Sequence, residues 1–297
     1  MSSCSKLHRV FTGFFVILLT SITSQGVILF GLDNAANQTD PGTGVSFSSV
    51  GLLSELGKAS PQGSAIHLGG GYMLTANHVG MRPYVTFDGT TFYQRDLTFT
   101  PTQVAPNVDL KVFKLTTTPT VGTANLNGGT GELIAPATQI GWGVGRNPTV
   151  AVDSAAVSWG NTTTIAKRWG LNTPRAASGI SYDSYTQQAI ITVLGSETGS
   201  PTGLGDNEAA TTLYDSGSGL FQFLDGSWQL IGVAVAVETS GVSNFGNDQI
   251  NDPNGDLNYF VRVGTYQTQI LSLIPEPASL SLVTFGLLLM LIRRRRG

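Results

Sequence analysis

The 297-residue chain holds a single cysteine, Cys4, in an N-terminal stretch that reads as removable. Without it the mature protein has no disulfide, no thiol redox couple and no cysteine-built zinc site, so its stability must come from packing. Charge is scarce as well, at 12% of residues. Histidine is scarcer: three in all, of which only His67 and His78 lie beyond the first 26 residues. No long amphipathic helical pattern runs through the body. What is plentiful is glycine, 37 residues, together with Thr, Val and Ser. That mixture suits an all-β protein with many turns, and the length allows one large domain or two modest ones with a real core.

The two ends differ from the body. Residues 1–26 read as a signal peptide: Lys6, His8 and Arg9 open it, Val10 to Ile22 is almost wholly apolar, and Ser24 and Gly26 offer small residues for cleavage. An uncleaved membrane anchor is the alternative, although the run is short for a full span. At the other end Pro275, Glu276 and Pro277 precede an apolar run, 278–292, followed by four arginines, Arg293 to Arg296. As a helix the run would reach roughly 22 Å, short of a comfortable bilayer crossing. The arginines would hold its far end on the cytoplasmic side. Pro-Glu-Pro, apolar stretch and arginine cluster in this order resemble a PEP-CTERM sorting signal. The resemblance implies a temporary inner-membrane anchor processed by an exosortase-like enzyme after signal peptidase has acted. It also implies export from a Gram-negative bacterium to the periplasm, cell surface or exterior.

Residues 27–274 carry 10 basic and 18 acidic side chains, a net charge of −8. An acidic body without a basic stripe argues against nucleic acid as a partner. Residues 27–62 are expected to be a lead-in, with the Asn-, Asp-, Gly- and Thr-rich part 31–45 exposed. From Gly63 the pattern turns to short strands. Ser64 to Leu68 alternates, Gly69-Gly70-Gly71 turns, and Tyr72 to Thr75 resumes, which predicts a hairpin. Leu110–Leu115, Thr138–Val144, Gln188–Leu194, Leu220–Leu224 and Trp228–Val237 continue the series. Tyr266 to Leu273 is the one expected helix. Stretches 195–212 and 238–256 read as surface loops; within the latter, 248–256 has oxygen-bearing residues at calcium-like spacing but lacks the EF-hand pattern, so a solvated loop is the better reading.

His67 sits inside an alternating strand, which suits a structural role. His78 follows a strand end directly, in Thr75-Ala76-Asn77-His78, where a sheet can hold an imidazole that still faces a cleft. With the preceding glycine hairpin, this segment is similar to the histidine region of trypsin-like (chymotrypsin-fold) serine proteases. Asn107-Val108-Asp109-Leu110 resembles the family's aspartate strand, and Asp215-Ser216-Gly217-Ser218-Gly219-Leu220 resembles its nucleophile loop. Gly141-Trp142-Gly143, Gly232 to Val235 and Tyr259 to Val263 extend the likeness over roughly 60–273. His, Asp, Ser is the order this family requires. The resemblance implies two six-stranded antiparallel β-barrels, divided near 120–135, and a short C-terminal helix. It implies a serine endopeptidase acting on polypeptides with Ser216 as nucleophile, His78 as base and Asp109 orienting the imidazole, without cofactor or metal. Ser218 is the competing nucleophile, but Asp precedes and Gly follows Ser216.

The resemblance also assigns the backbone N–H groups of Tyr214 and Ser216 to an oxyanion hole. Tyr214 stands where the family has glycine, and its β-carbon restricts the backbone there. Val235 replaces a serine that commonly sits beside the catalytic aspartate, and Val237 replaces the glycine that opens the substrate pocket. Ala210 lies where trypsin would carry an acid, so the implied pocket is uncharged and suits small apolar side chains. Two other readings follow from these departures: a pseudoprotease of the same fold, and a non-catalytic β-rich surface or matrix protein in which the three residues lie far apart.

Overall fold

The computed structural model describes residues 27–29, 31–147, 156–157, 159–194, 204–237, 243–244 and 257–275. The expected signal peptide, the loop 248–256 and, apart from Pro275, the C-terminal sorting segment lie outside the described residues. Alternating and apolar runs form two seven-stranded antiparallel sheets. The first contains β1 (Val50–Ser54), β2 (Gly63–Gly69), β3 (Tyr72–Thr75), β4 (Tyr84–Thr86), β5 (Phe92–Gln94), β6 (Thr102–Gln103) and β7 (Lys111–Lys114). Its order is β5-β4-β1-β2-β3-β7-β6. Just past β5 and β7, Asp96 N–H bonds Lys114 O at 2.8 Å and Thr116 N–H bonds Gln94 O at 2.9 Å, which closes the sheet into a barrel. The β2–β3 hairpin turns on Gly69, Gly70 and Gly71 with φ of 101°, 58° and 81°, dihedrals that glycine adopts without strain.

The second sheet contains β8 (Ala137–Gly143), β9 (Ala166–Asn172), β10 (Ala176–Tyr182), β11 (Tyr185–Val193), β12 (Gly219–Leu224), β13 (Ser227–Val237) and β14 (Leu257–Arg262), in the order β9-β8-β12-β13-β14-β11-β10. The helix α1 spans Val263–Ser272. It starts three residues before the expected Tyr266 because Val263 and Ile270, two turns apart, are its buried anchors. Each sheet has seven strands where six were expected. In the first, the two-residue β6 is too short for periodicity to mark. In the second, Ser178, Gly179 and Ser181 of β10 are exposed, so no apolar alternation announces the strand.

The segment 27–62 is a lead-in only in part. Val50–Ser54 is fully buried and lies between β2 and β4. Ile28–Leu29 pairs antiparallel with Ala209–Ala210. The polar stretch between them is strapped to the second barrel through its backbone carbonyls. Arg168 donates to Asn34 O, Trp169 Nε1 to Thr39 O and Trp228 Nε1 to Thr43 O, while Arg146 holds the carbonyl of Leu29 just before it. Loop composition concealed this because the contacts use the backbone, which composition does not report.

One apolar cluster runs through both barrels, from Leu52, Met73, Leu74 and Phe113 to Ile140, Trp142, Phe221 and Val233. At the seam lies Lys167 of β9, 6% exposed, its ammonium 4.6 Å from the Phe47 ring and 3.1 Å from Phe87 O. Burial presses its pKa down to about 7, against weaker support from Asp88 and Asp40. The folded value lies below the unfolded one, so between pH 7 and the ordinary lysine range the unfolded chain binds more protons and stability rises with pH. Lys167→Met removes this dependence. Thermal melts should show the variant's stability relative to the parent falling steadily from pH 7 to pH 10, whereas a constant difference would mean that Lys167 is not desolvated.

Candidate active site

β3 ends at Thr75 and the chain turns at once, Val79 N–H bonding Ala76 O at 3.2 Å, which presents His78 at the rim of the first barrel. Its side chain is 30% exposed. Asp109 precedes β7 between buried Val108 and Leu110 and is itself wholly buried. A buried carboxylate needs hydrogen-bond donors on both oxygens, and it has them. His78 N–H donates to Asp109 Oδ1 at 2.8 Å, and His78 Nδ1 donates to Oδ2 at 2.6 Å. Lys111, two residues along, is buried and sends Nζ to Asn77 O at 2.9 Å and Val79 O at 2.6 Å, gripping the carbonyls on either side of His78. Burial pushes its pKa down to about 8, opposed by the charge of Asp109.

Ser216 comes from the second barrel, in the turn before β12. His78 Nε2 lies 2.6 Å from its Oγ. The three residues, far apart in sequence, form one hydrogen-bonded run. Ser218 does not take part: it is buried, and its Oγ has no hydrogen-bond partner among the described residues. His67 also stands apart, buried in β2, with Nδ1 donating to Gly122 O at 3.0 Å. Its pKa is lowered by burial, so it is a neutral structural imidazole.

Ser64 of β2 ties the Ser216 turn to the first barrel. Its N–H donates to Ser216 O at 2.8 Å and its Oγ to Tyr214 O at 3.3 Å, while Oγ accepts from Trp142 N–H at 2.9 Å. Gly217 makes this approach possible. A β-carbon there would sit 2.1 Å from Ser64 O and 2.3 Å from Thr75 Oγ1, and φ is +86°. Asp215 points the other way into the second barrel, wholly buried, with Oδ2 accepting from Gln139 Nε2 at 3.1 Å; burial raises its pKa well above the usual carboxylate range.

Tyr214 has φ of +75°, in the left-handed region that glycine favours. The chain thus keeps the conformation expected of a glycine and accepts the strain, about 1–3 kcal/mol. Leu213 O accepts from Val144 N–H at 3.0 Å. Because the peptide is planar and trans, the Tyr214 N–H is turned to the side opposite Val144.

The residues expected to line a substrate pocket are placed as follows. Ala210 is buried and paired with Ile28 in a small cluster with Leu194. Val235 is buried in β13, and Val237, half-buried, ends that strand as the partner of Asn258. Asn258 Oδ1 accepts from Thr211 N–H at 2.8 Å, which ties the residue after Ala210 to the strand partner of Val237. Sequence reasoning missed Lys111, Tyr182, Tyr185 and Gln187. Lys111 reads as an outward polar residue of an alternating strand, and the other three belong to a hairpin without apolar alternation.

Two antiparallel seven-stranded barrels and a closing helix match solved structures of serine proteases. Neuropsin, a serine protease expressed in mouse brain, superimposes with a TM-score of 0.51 at 14% identity, over 80% of this chain and 98% of that one. The fold is that of the trypsin-like serine proteases. The HtrA-type protease AlgW, solved with a decapeptide, gives a TM-score of 0.50 at 16% identity over 78% of this chain and 66% of its own. No protein-family model matches the sequence, and no curated protein matches it either. In this chymotrypsin-like fold the run Asp109–His78–Ser216 spans from the first barrel to the second.

The positive φ at Tyr214 has a measurable consequence. Alanine normally exceeds glycine in stability because glycine loses more backbone entropy, but at a left-handed position the order reverses. Tyr214→Gly should be more stable than Tyr214→Ala by about 1 kcal/mol in denaturant unfolding. The opposite order would place residue 214 in an ordinary conformation.

Proposed function

We propose that the protein is a serine endopeptidase that hydrolyses peptide bonds through Ser216, His78 and Asp109. The observation that carries this reading is the pair of 2.6 Å contacts, His78 Nδ1 to Asp109 and His78 Nε2 to Ser216 Oγ. The Nδ1–H donated to a buried carboxylate leaves Nε2 as the acceptor for the Ser216 proton, which is the tautomer a general base requires. Ser216 Oγ attacks the scissile carbonyl as Nε2 takes its proton, and the imidazolium then returns that proton to the leaving amine. Asp109 stays ionised and stabilises the imidazolium. The N–H groups of Tyr214 and Ser216 receive the charge that develops on the carbonyl oxygen; one such donor is worth about 2.7–4 kcal/mol in the transition state.

Ala210, Val235 and Val237 would form an uncharged pocket favouring small apolar side chains of a polypeptide substrate. The strain at Tyr214 supports a second reading, a pseudoprotease that binds without cleaving. The expected signal peptide and PEP-CTERM segment support a route through the inner membrane, with signal peptidase and an exosortase-like enzyme removing the two ends. The working form would then be periplasmic, at the cell surface or extracellular.

A fluorophosphonate probe on the purified full chain separates the two readings. The protease should be labelled at Ser216, with labelling lost in Ser216→Ala, reduced by about 10⁶-fold in His78→Ala and retained in Ser218→Ala. An unlabelled parent chain would leave the pseudoprotease.

A further inference from the structure

Resting on the serine-protease reading above, we infer that Tyr182, held by Gln187, is the positioning residue for Asp109, supplying from the second barrel the hydroxyl that position 235 lacks. Val235 offers no donor where the resemblance places a serine beside the aspartate. Asp109 nonetheless has a third side-chain or backbone donor: Tyr182 Oη donates to its Oδ2 at 2.5 Å, on the same oxygen that receives His78 Nδ1–H.

The contact belongs to a closed loop of hydrogen bonds. Asp109 N–H donates to Gln187 Oε1 at 2.6 Å, and Gln187 Nε2 donates to Tyr182 Oη at 3.1 Å. Since the Gln187 oxygen is committed to the Asp109 amide, its NH₂ must face the tyrosine oxygen, and the phenolic proton is directed to the carboxylate. Gln187 is 3% exposed, so water does not compete for these bonds. Burial first, and the charge of Asp109 second, raise the pKa of Tyr182 far above its ordinary value and keep the hydroxyl a donor.

The hairpin that carries both residues is latched to the Asp109 and His78 loops at two further points. Thr186 N–H donates to Asn107 O at 2.8 Å, and Asn77 Nδ2 donates to Tyr185 Oη at 3.1 Å. The rings of Tyr182 and Tyr185 lie 5.6 Å apart and pack together across the tip. The hairpin of the second barrel thereby reaches the first barrel and holds the Asp109 carboxylate.

The charged and titratable groups around His78 are Asp109 on its Nδ1, Lys111 on the carbonyls flanking it, and Tyr182 and Tyr185 from the hairpin, with Asp183 beside Tyr185. Of these, only the Tyr182 hydroxyl shares the Oδ2 that faces the imidazole. Its donation spreads the charge of that oxygen. Removing it concentrates the charge on the His78 contact and favours the imidazolium.

The test is Tyr182→Phe in the purified full chain, which keeps the ring and deletes one oxygen. The His78 titration, followed by imidazole NMR with His78→Ala identifying its signal, should move upward by about one pH unit. Fluorophosphonate labelling of Ser216 should slow by about ten-fold or more, the loss expected for a hydrogen bond to a charged group. An unchanged titration with an unchanged labelling rate overturns the inference while the labelled parent leaves the protease reading intact; a lowered melting temperature with neither change assigns Tyr182 a merely structural role and overturns it too. A shifted titration in a parent chain that never labels supports the positioning role and refutes the protease reading.

Discussion

Burying an ionised carboxylate costs several kcal/mol unless donors replace the lost water, and the cost rises steeply if any one of them is missing. Asp109 is buried completely, and its oxygens are met by the His78 amide, the His78 imidazole and the Tyr182 hydroxyl. Two donors come from the first barrel and one from the second. The carboxylate can therefore be satisfied only when both barrels are folded and docked. The same requirement orients the imidazole, because the Nδ1–H that Asp109 needs is the one that leaves Nε2 facing Ser216. Stability of the domain seam and alignment of His78 with Ser216 are, at this point, one constraint.

The seam is reinforced where Ser216 sits. Ser64 bonds the backbone of Ser216, Tyr214 and Trp142 at once, and Trp142 Nε1 reaches back to Val50 O at 3.1 Å. Glycine at 217 lets the two backbones touch. Against this scaffold the positive φ of Tyr214 is sustained by its neighbours: its own carbonyl is held by Ser64 and the preceding one by Val144. Strain of this kind persists where surrounding bonds over-determine the conformation, and it occurs where a backbone donor must face a cleft.

The parts legible in the sequence were of two kinds. His78 stands just past a strand end that alternation and turn chemistry mark, whereas Asp109 and Ser216 were legible through the resemblance of their segments to the trypsin-like pattern. The glycine hairpin before His78 and the apolar run Val233 to Val237 were readable as period and turn chemistry. What stayed hidden was contact made by backbone carbonyls or by polar side chains across the barrels. The strap 31–45 looks like loop because its bonds come from Arg168, Trp169 and Trp228, more than 100 residues away. Tyr182 ends a strand whose residues include exposed Ser and Gly, Gln187 lies between polar residues in the next strand, and Lys111 reads as solvent-facing although its ammonium is committed to two carbonyls. Long-range polar pairing leaves no local trace.

The central claim is that both barrels assemble a nucleophile, a base and two backbone donors around one carbonyl. A crystal structure of the body after reaction with a peptide boronic acid addresses it directly. The expected result is a tetrahedral adduct on Ser216 Oγ, one boronate oxygen within hydrogen-bond distance of the Tyr214 and Ser216 N–H groups, and His78 still bridging Asp109 and the adduct. An unmodified Ser216, or an adduct whose oxygens face solvent with the Tyr214 N–H turned away, would contradict the account.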